Sequence, residues 1–473
     1  MSTDCTLQPV HLQAAGRRFL TAEFDGGHIS SDAGALLLRA ADEATALTEL
    51  LAACFVDLRD QTRVEHSVLD LVRQRLFGLA LGYEDLNDHD DLRCDPLLAE
   101  VVGKRQPTGS DRVRAADRGR PLAGKSTLNR LEWSLGSEAE TDRYHRVALD
   151  PEAMDTFFVD LFLDSFEEAP EEIILDFDAT DDPLHGQQEG RFFHGYYDGY
   201  CYLPLYVFCG HHLLWAQLRT SDRDASDGSV DVLEILVPRI RERWPDVQIL
   251  LRSDSGFARD AILSWCEQND VGYVTGLARN QRLERLLKPT LERAEKLRSE
   301  EAPKIRLFED LEYETLNTWS RSRRVVGKAE VSSYGRNPRF VVTSIPAEEL
   351  DAQRLYDEIY CARGDAENRI KEQQLDLFAT RTSGRKMRVN QVRLWFSAAA
   401  YSLLHALRCL GLKGTRFATA QCGTIRTKLL KIGAVIRVTT RRIWVSMSSS
   451  YPNQDIFIHV LSRLRRRTLT QPS

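Results

Sequence analysis

The chain has 473 residues, is 42% hydrophobic and carries a formal net charge of −7, enough apolar material for roughly two to four domains and too much for a disordered scaffold. No apolar run approaches the roughly 20 residues of a membrane span, the polar start MSTDCTLQPVHLQ lacks a signal-peptide apolar region, and nine scattered cysteines form no C-x-x-C pair. These features argue against a membrane protein, a disulfide scaffold and structural zinc, and predict a soluble cytoplasmic protein with reduced thiols. Residues 381–473 hold 18 Lys+Arg against the single acid Asp455, a net +17, while the first 380 hold 45 basic against 69 acidic residues, a net −24.

In chain order, Ser30, Ser31 and Asp32 precede AGALLLRAADEATALTELLAACF and predict an N-cap followed by an apolar helical stripe. Helical patterns recur over Ser67–Leu81 and Ser126–Leu135, so the first 150 residues or so read as mostly helical. Asp88, His89, Asp90 and Asp91 read as a solvated turn, because consecutive side chains diverge. Lys104 to Arg130 carries eight basic residues against Asp111 and Asp117. Within it Gly119 to Ser126 matches the P-loop letters, but a P-loop needs a buried strand before its first glycine and RVRAADRG is polar. The stretch is read instead as a basic loop for a phosphate backbone, with Ser126 capping the helix STLNRLEW.

From Glu171 the pattern changes to short apolar runs between turn residues, the mark of buried strands. EEIILDFDAT, PLYVFCG and HLLWAQLRT predict three strands, followed by a helix over Ser229–Arg243, a strand VQILLRSD, a helix ARDAILSWCEQN and a strand VGYVTG. That order of elements is the one found in a ribonuclease-H-like α/β core. A charged helix over Gln281–Arg298 leads to strand-like runs KIRLFEDLEYETL, RRVVGKAEVSSY and RFVVTSI, read as an inserted β-rich subdomain. Helix resumes from Pro346 past Glu367, and a further apolar helix covers Val392–Leu410.

Two strands end in carboxylates. Side chains alternate along a strand, so Asp176 and Asp178 share one face at the exit of IILDFDATDD, and Asp254 holds the corresponding exit of VQILLRSDSGF. Carboxyl ends of strands are where α/β sheets bind ligands, and carboxylates converging there repel unless a hard cation such as Mg²⁺ lies between them. In IYCARGDAENRIKEQQLD, a helix would bring Tyr360, Arg363, Glu367, Lys371 and Gln374 within an arc of about 80°, though Gly364-Asp365 is also a plausible helix start. His185 and His194, in PLHGQQEGRFFHGYYDGYCY, either reach a substrate or fill a turn. The aromatics beside them, Phe192, Phe193, Tyr196, Tyr197, Tyr200 and Tyr202, are expected in a core, with base stacking as the alternative.

Asp178-Ala-Thr180, Arg-Ser-Asp254-Ser-Gly-Phe and Tyr360-x-x-Arg363-x-x-x-Glu367 resemble the three catalytic blocks of bacterial DDE insertion-sequence transposases, in the subgroup with a Tyr-Arg-Glu-Lys signature and a β-strand insertion. The resemblance covers at least Glu171 to Arg408 and departs at the signature Lys, which falls at Gln374, leaving Lys371 as the candidate substitute. It implies that Asp178, with Asp176 as the alternative, Asp254 and Glu367 are catalytic and hold metal. Two Mg²⁺ ions about 4 Å apart, replaceable by Mn²⁺, would serve the attacking and leaving oxygens. Arg363 and Lys371 would bind phosphate oxygens, and Tyr360 would contact the cleaved strand's backbone. In the insertion, Trp319 with Arg323 and Arg324 would stack a displaced base and hold phosphates, unless the Trp fills the insertion's own core.

The expected organisation is a helical DNA-end-binding region 1–165, a first core part 166–300, a β-rich insertion 301–346, a core completion with the Glu helix 347–410, and a basic region 411–473 for DNA binding or oligomerisation. Arg385, Lys386 and Arg388 open the basic tail, which continues through Arg437, Arg441 and Arg442 to Arg463, Arg465, Arg466 and Arg467. Neutralising many phosphates releases counterions, so this stretch reads as a nucleic-acid surface. The function expected is cut-and-paste transposition on double-stranded DNA, element ends and target, by a homodimer in the bacterial nucleoid. The rivals are a nuclease on the same core that does not join and a non-catalytic DNA-binding descendant.

Overall fold

The computed structural model describes residues 9–15, 18–134 and 144–470. Cys5, the first eight residues of the polar start and the last residue of the helix expected to reach Leu135 lie outside these. The chain divides into two compact units, one from the described parts of 1–131, 137–148 and 406–473, the other from those of 132–136 and 149–405. No helix among the described residues is long and apolar enough to cross a membrane.

The first unit joins the two ends of the chain. Helix Val68–Leu81 begins with a reciprocal capping box between Ser67 and Asp70 and stops at Gly82, whose φ of 96° suits only glycine without strain. Helix Ala35–Thr45 buries Leu37, Leu38 and Ala41 and packs against helix Gln454–Thr470. Strand Ala434–Val438 lies between His28–Ser30 and Ile443–Met447, with Ala434 opposite Ser30 and Met447. The cap expected at Ser30–Asp32 takes another form. Asp32 is buried and accepts from Tyr83 Oη at 2.7 Å beside Lys431 Nζ, also at 2.7 Å, while the helix starts at Gly34 without a side-chain cap. A Cβ at Gly34 would meet the backbone of Leu429 and Leu430 at 2.2 Å, so the close crossing demands glycine. Ser126 lies inside helix Lys125–Glu132 rather than at its cap. His89, expected in a solvated turn, is buried beside Gln74, and burial pushes its imidazole down to about 3.

The second unit is built on one large mixed sheet. Its principal strands are β1 (Glu172–Ala179), β2 (Leu205–Cys209), β3 (His212–Gln217), β4 (Gln248–Ser253), β5 (Gly272–Leu277), β6 (Ile305–Tyr313), β7 (Arg323–Ser332) and β8 (Arg339–Thr343). The spatial order is β3-β2-β1-β4-β5-β8-β7-β6. β1 runs parallel to β4 and β4 to β5, and every other neighbouring pair along that path is antiparallel. The helices are α1 (Pro151–Asp164), α2 (Ser229–Arg243), α3 (Asp260–Gln268), α4 (Gln281–Leu297), α5 (Gly364–Asp376) and α6 (Met387–Ala406).

Strand alternation sorts the core onto two faces. Leu175, Phe177, Ile249, Leu251, Val325 and Val342 join the residues of α1 to α4 on one face, while Leu250, Val274, Val326 and Val341 meet Leu355 and Tyr356 on the other. The insertion is not a sheet of its own. β8 pairs with β5, Thr275 lying opposite Val342, so the inserted strands extend the main sheet. The physical reason is the edge: β5 would otherwise leave a row of unpaired amides and carbonyls beside an apolar surface.

Candidate active site at the carboxyl ends of β1 and β4

Parallel pairing puts Asp176 beside Arg252 and Phe177 beside Ser253, so the exits of β1 and β4 come out together. Asp178 stands near the end of β1 opposite Tyr206 of β2, buried, with Oδ1 accepting from the Ala179 amide at 2.9 Å. Asp254 follows β4 and caps a short turn, its Oδ1 accepting from the Gly256 amide at 2.8 Å. Glu367 lies in the first turn of α5.

The backbone before α5 is helical but irregular, with a widened π-type turn over Leu355–Tyr360 and a tight 3₁₀ turn over Cys361–Arg363. Departures of this kind re-aim side chains relative to a regular helix. Arg363 donates to Asp178 Oδ2 at 3.3 Å and to Glu367 Oε1, bridging two carboxylates 189 positions apart in chain numbering. Burial pushes the Asp178 carboxyl up to about 7; the Arg363 guanidinium opposes this, and the charges of Asp254 and Glu367 add to it. Burial works against the Arg363 cation, yet Asp178 and Glu367 outweigh it and hold its pKa above the usual value.

Tyr360 projects toward β5, its phenol raised by burial, with Arg363 opposing and Asp254 adding. A Cβ at Gly276 would meet the Tyr360 hydroxyl at 2.6 Å and the Ser255 amide at 2.9 Å, so glycine makes room for the ring. Beside it opens a cleft of 410 Å³ that Arg279 and Arg339 help to line. Neither arginine has a sequence signal of its own, since each lies in an ordinary turn or strand start.

Asp176 is committed elsewhere. Arg252 binds it through Nε at 2.5 Å and Nη2 at 2.8 Å and donates to the Ile359 carbonyl at 2.7 Å. Lys371 is exposed one turn after Glu367, and Gln374 turns inward to Thr180 Oγ1 at 3.4 Å and the Asp181 carbonyl at 3.3 Å. Arg385, Lys386 and Arg388 are exposed around the start of α6, with Lys386 3.3 Å from Glu189.

The insertion residues spend their groups inside the protein. Trp319 is 7% exposed in the main core, edge-on to Tyr313 at 5.7 Å, so no ring face is offered to a base. The Arg323 side chain is 1% exposed and pairs with Asp260 and Glu267, each at 2.7 Å. Arg324 binds Asp310 at 2.7 Å and the carbonyls of Ile345 and Leu350. The packing reason is strand alternation at the start of β7: Arg323 meets the acids of α3 on one face of the sheet, and Arg324 meets Asp310 and the Ile345 and Leu350 carbonyls on the other.

Three carboxylates are hard oxygen donors of the type Mg²⁺ accepts, and the elevation of Asp178 by burial, to which Asp254 and Glu367 add, is the electrostatic setting a divalent cation would relieve. In the arrangement described, Arg363 is the cation between Asp178 and Glu367, and no set of three His, Cys, Asp or Glu side chains among the described residues is gathered for a metal.

A family model described as "Transposase DDE domain group 1" matches residues 12–469. No curated protein matches the chain. Among solved structures, the cryo-EM structure of a piggyBac transposase synaptic complex with hairpin DNA is similar at a TM-score of 0.39 and 10% identity, over 93% of this chain and 82% of that one.

Proposed function

The chain belongs to the DDE transposase family, domain group 1, and from that premise we propose that it carries out cut-and-paste transposition of a bacterial insertion sequence. The reaction is metal-dependent cleavage of DNA strands followed by strand transfer, within the subgroup marked by the Tyr-Arg-Glu-Lys signature. The observation that carries this reading is the electrostatic coupling of Asp178 to Asp254, Glu367 and Arg363, four side chains from three separate segments at the carboxyl edge of one sheet. The order β3-β2-β1-β4-β5 supports a ribonuclease-H-like core.

Asp178, Asp254 and Glu367 would hold Mg²⁺, which when bound supplies activation of an oxygen nucleophile and stabilisation of the leaving oxygen. Arg363, already shared between two carboxylates, turns its fork to a phosphate oxygen as charge develops there. Lys371, exposed on the same helix, offers a second cation to the backbone, while Gln374 keeps α5 docked on the end of β1. Tyr360 bounds the cleft through which the strand passes. Asp178 rather than Asp176 is assigned as the first ligand, because the Arg252 fork already satisfies Asp176.

Region 1–165 is assigned to element-end binding and 411–473 to phosphate contacts or dimer formation, at the nucleoid in the cytoplasm. The test is to incubate the protein with Mg²⁺ and DNA carrying the ends that flank its own gene, and to map the products. Excised element joined to target supports the assignment; cleavage without joining shows a nuclease; and DNA binding indifferent to Asp254→Ala, without any cleavage, shows a DNA-binding descendant.

A further inference from the structure

Between β1 and β2 the chain makes a small three-stranded sheet from Asp182–Pro183, Phe192–His194 and Gly199–Tyr202. Of its aromatic side chains only Tyr202 is fully buried, its hydroxyl donating to the Glu189 carbonyl at 2.5 Å. Phe192, Phe193, Tyr196 and Tyr200 are exposed, Tyr196 to 86%. A core role, expected from the sequence, therefore does not account for them, and a cluster of large apolar rings left in water marks a binding surface. The rings touch in two pairs. Phe193 meets Tyr200 at 5.6 Å, Tyr196 meets Tyr197 at 5.0 Å, and the Arg191 guanidinium sits 3.6 Å over the Tyr200 ring.

Two further observations say what covers these rings. The loop that carries them is stitched to the start of the basic segment: Gln188 Nε2 donates to the Thr382 carbonyl at 2.9 Å, the Glu189 amide to the Arg385 carbonyl at 2.9 Å, and Thr382 Oγ1 to the Pro183 carbonyl at 3.2 Å. Exposed Arg385, and Lys386 with its Nζ 3.3 Å from Glu189, thus border the aromatic surface. On its other side the small sheet joins the carboxylate site along the chain, its first strand starting at Asp182, four residues after Asp178.

Exposed rings beside basic side chains are the arrangement that binds single-stranded nucleic acid, since a ring stacks on the face of a base and a duplex hides those faces. We propose that Phe193, Tyr196 and Tyr200 form a stacking platform for unpaired bases of a DNA strand whose phosphates follow Arg385 and Lys386 toward Asp178. This rests on the reading of the protein as one that acts on DNA and adds the form of DNA that the site's entrance takes.

The test reads binding alone, in chelator, so that no cleavage step enters. Full-length protein is titrated against labelled single-stranded oligothymidine and against a duplex of equal length, with the variant Phe193→Ala/Tyr196→Ala alongside. Stacking contributes on the order of 1–3 kcal/mol per base, about fivefold to more than a hundredfold. The expected result is a loss of that size on the single strand, with duplex affinity within about twofold, an unchanged melting temperature, and retention by Tyr196→Phe. An unchanged single-strand affinity, or equal losses on both forms, overturns the platform. A protein that cleaves no DNA yet shows the selective loss leaves the platform standing and removes only the transposase reading.

Discussion

The carboxylate site and the start of the β7 insertion use the same materials, arginines beside acids and aromatic rings, to opposite ends. Arg323 is 1% exposed and saturated by two acids of α3, with Trp319 closing over it. Arg363 keeps 17% of its side chain exposed and shares itself between Glu367 and Asp178, the latter also raised by Asp254. The first is a closed ion pair, whose acids also hold other partners: Ser320 on Asp260, and Arg321 and Tyr273 on Glu267. The second is an acid-rich cluster in which one partly exposed guanidinium faces three carboxylates. Residue type does not separate the two; accessibility and the balance of charge do.

The largest effects should come from the open cluster. Asp178→Ala, Asp254→Ala and Glu367→Ala are each expected to lower Mg²⁺-dependent strand cleavage by on the order of a thousandfold or more, with DNA affinity changed only a few-fold. Asp176→Asn tests the comparison from beside it: the expected outcome is a lowered melting temperature from the stranded Arg252, and retention of full cleavage with loss by Asp178→Ala confirms the choice of ligand. If instead Asp176→Asn alone abolishes cleavage in a stable protein, the assignment reverses.

At the closed pair, Arg323→Ala should cost about 1–3 kcal/mol, read as a lower denaturation midpoint, with every DNA step impaired in proportion to the folded fraction. Arg363→Ala should leave the midpoint nearly unchanged and depress cleavage selectively. The reverse ranking would mean that the two arginines have been misread.

A third case lies between them. Asp182 is wholly buried; burial pushes its carboxyl up to about 8 against the pull of the Gln374 amide, which is aimed at Thr180 and the Asp181 carbonyl instead. The folded chain thus keeps a proton that the unfolded chain, with its carboxyl near 3.8, releases. Stability should therefore be highest below that value and decline as pH rises through 8. Asp182→Asn should remove this slope and raise the melting temperature, more at pH 9 than at pH 6.

The smallest effect concerns the exposed hairpin of the first unit. Arg441→Ala/Arg442→Ala should reduce the slope of log K against log salt by about 2 on duplex DNA, without altering sequence preference or melting temperature. Deleting the tail is a poorer test, because Leu412, Val460 and Leu464 of that segment are buried.

Periodicity and motif spacing made much of this protein legible. Helix α2 runs over the predicted Ser229–Arg243, the strands ending in Asp178 and Asp254 lie where apolar runs meet turn residues, and Tyr360 and Arg363 stand ahead of a regular helix that starts at Gly364. These features are local: a few consecutive residues carry both the hydrophobic pattern and the residues that stop it. Tertiary structure decided what depends on a partner far along the chain. Arg252 claims Asp176 from 76 positions away, β8 closes the edge of β5, Trp319 sinks into the main core, and strand Ala434–Val438 pairs with His28–Ser30. The same holds for the aromatic run at 192–200, where alternating rings signal a strand but its burial depends on whether another layer covers it. A period reports which side chains share a face; only the register of distant strands determines what that face meets.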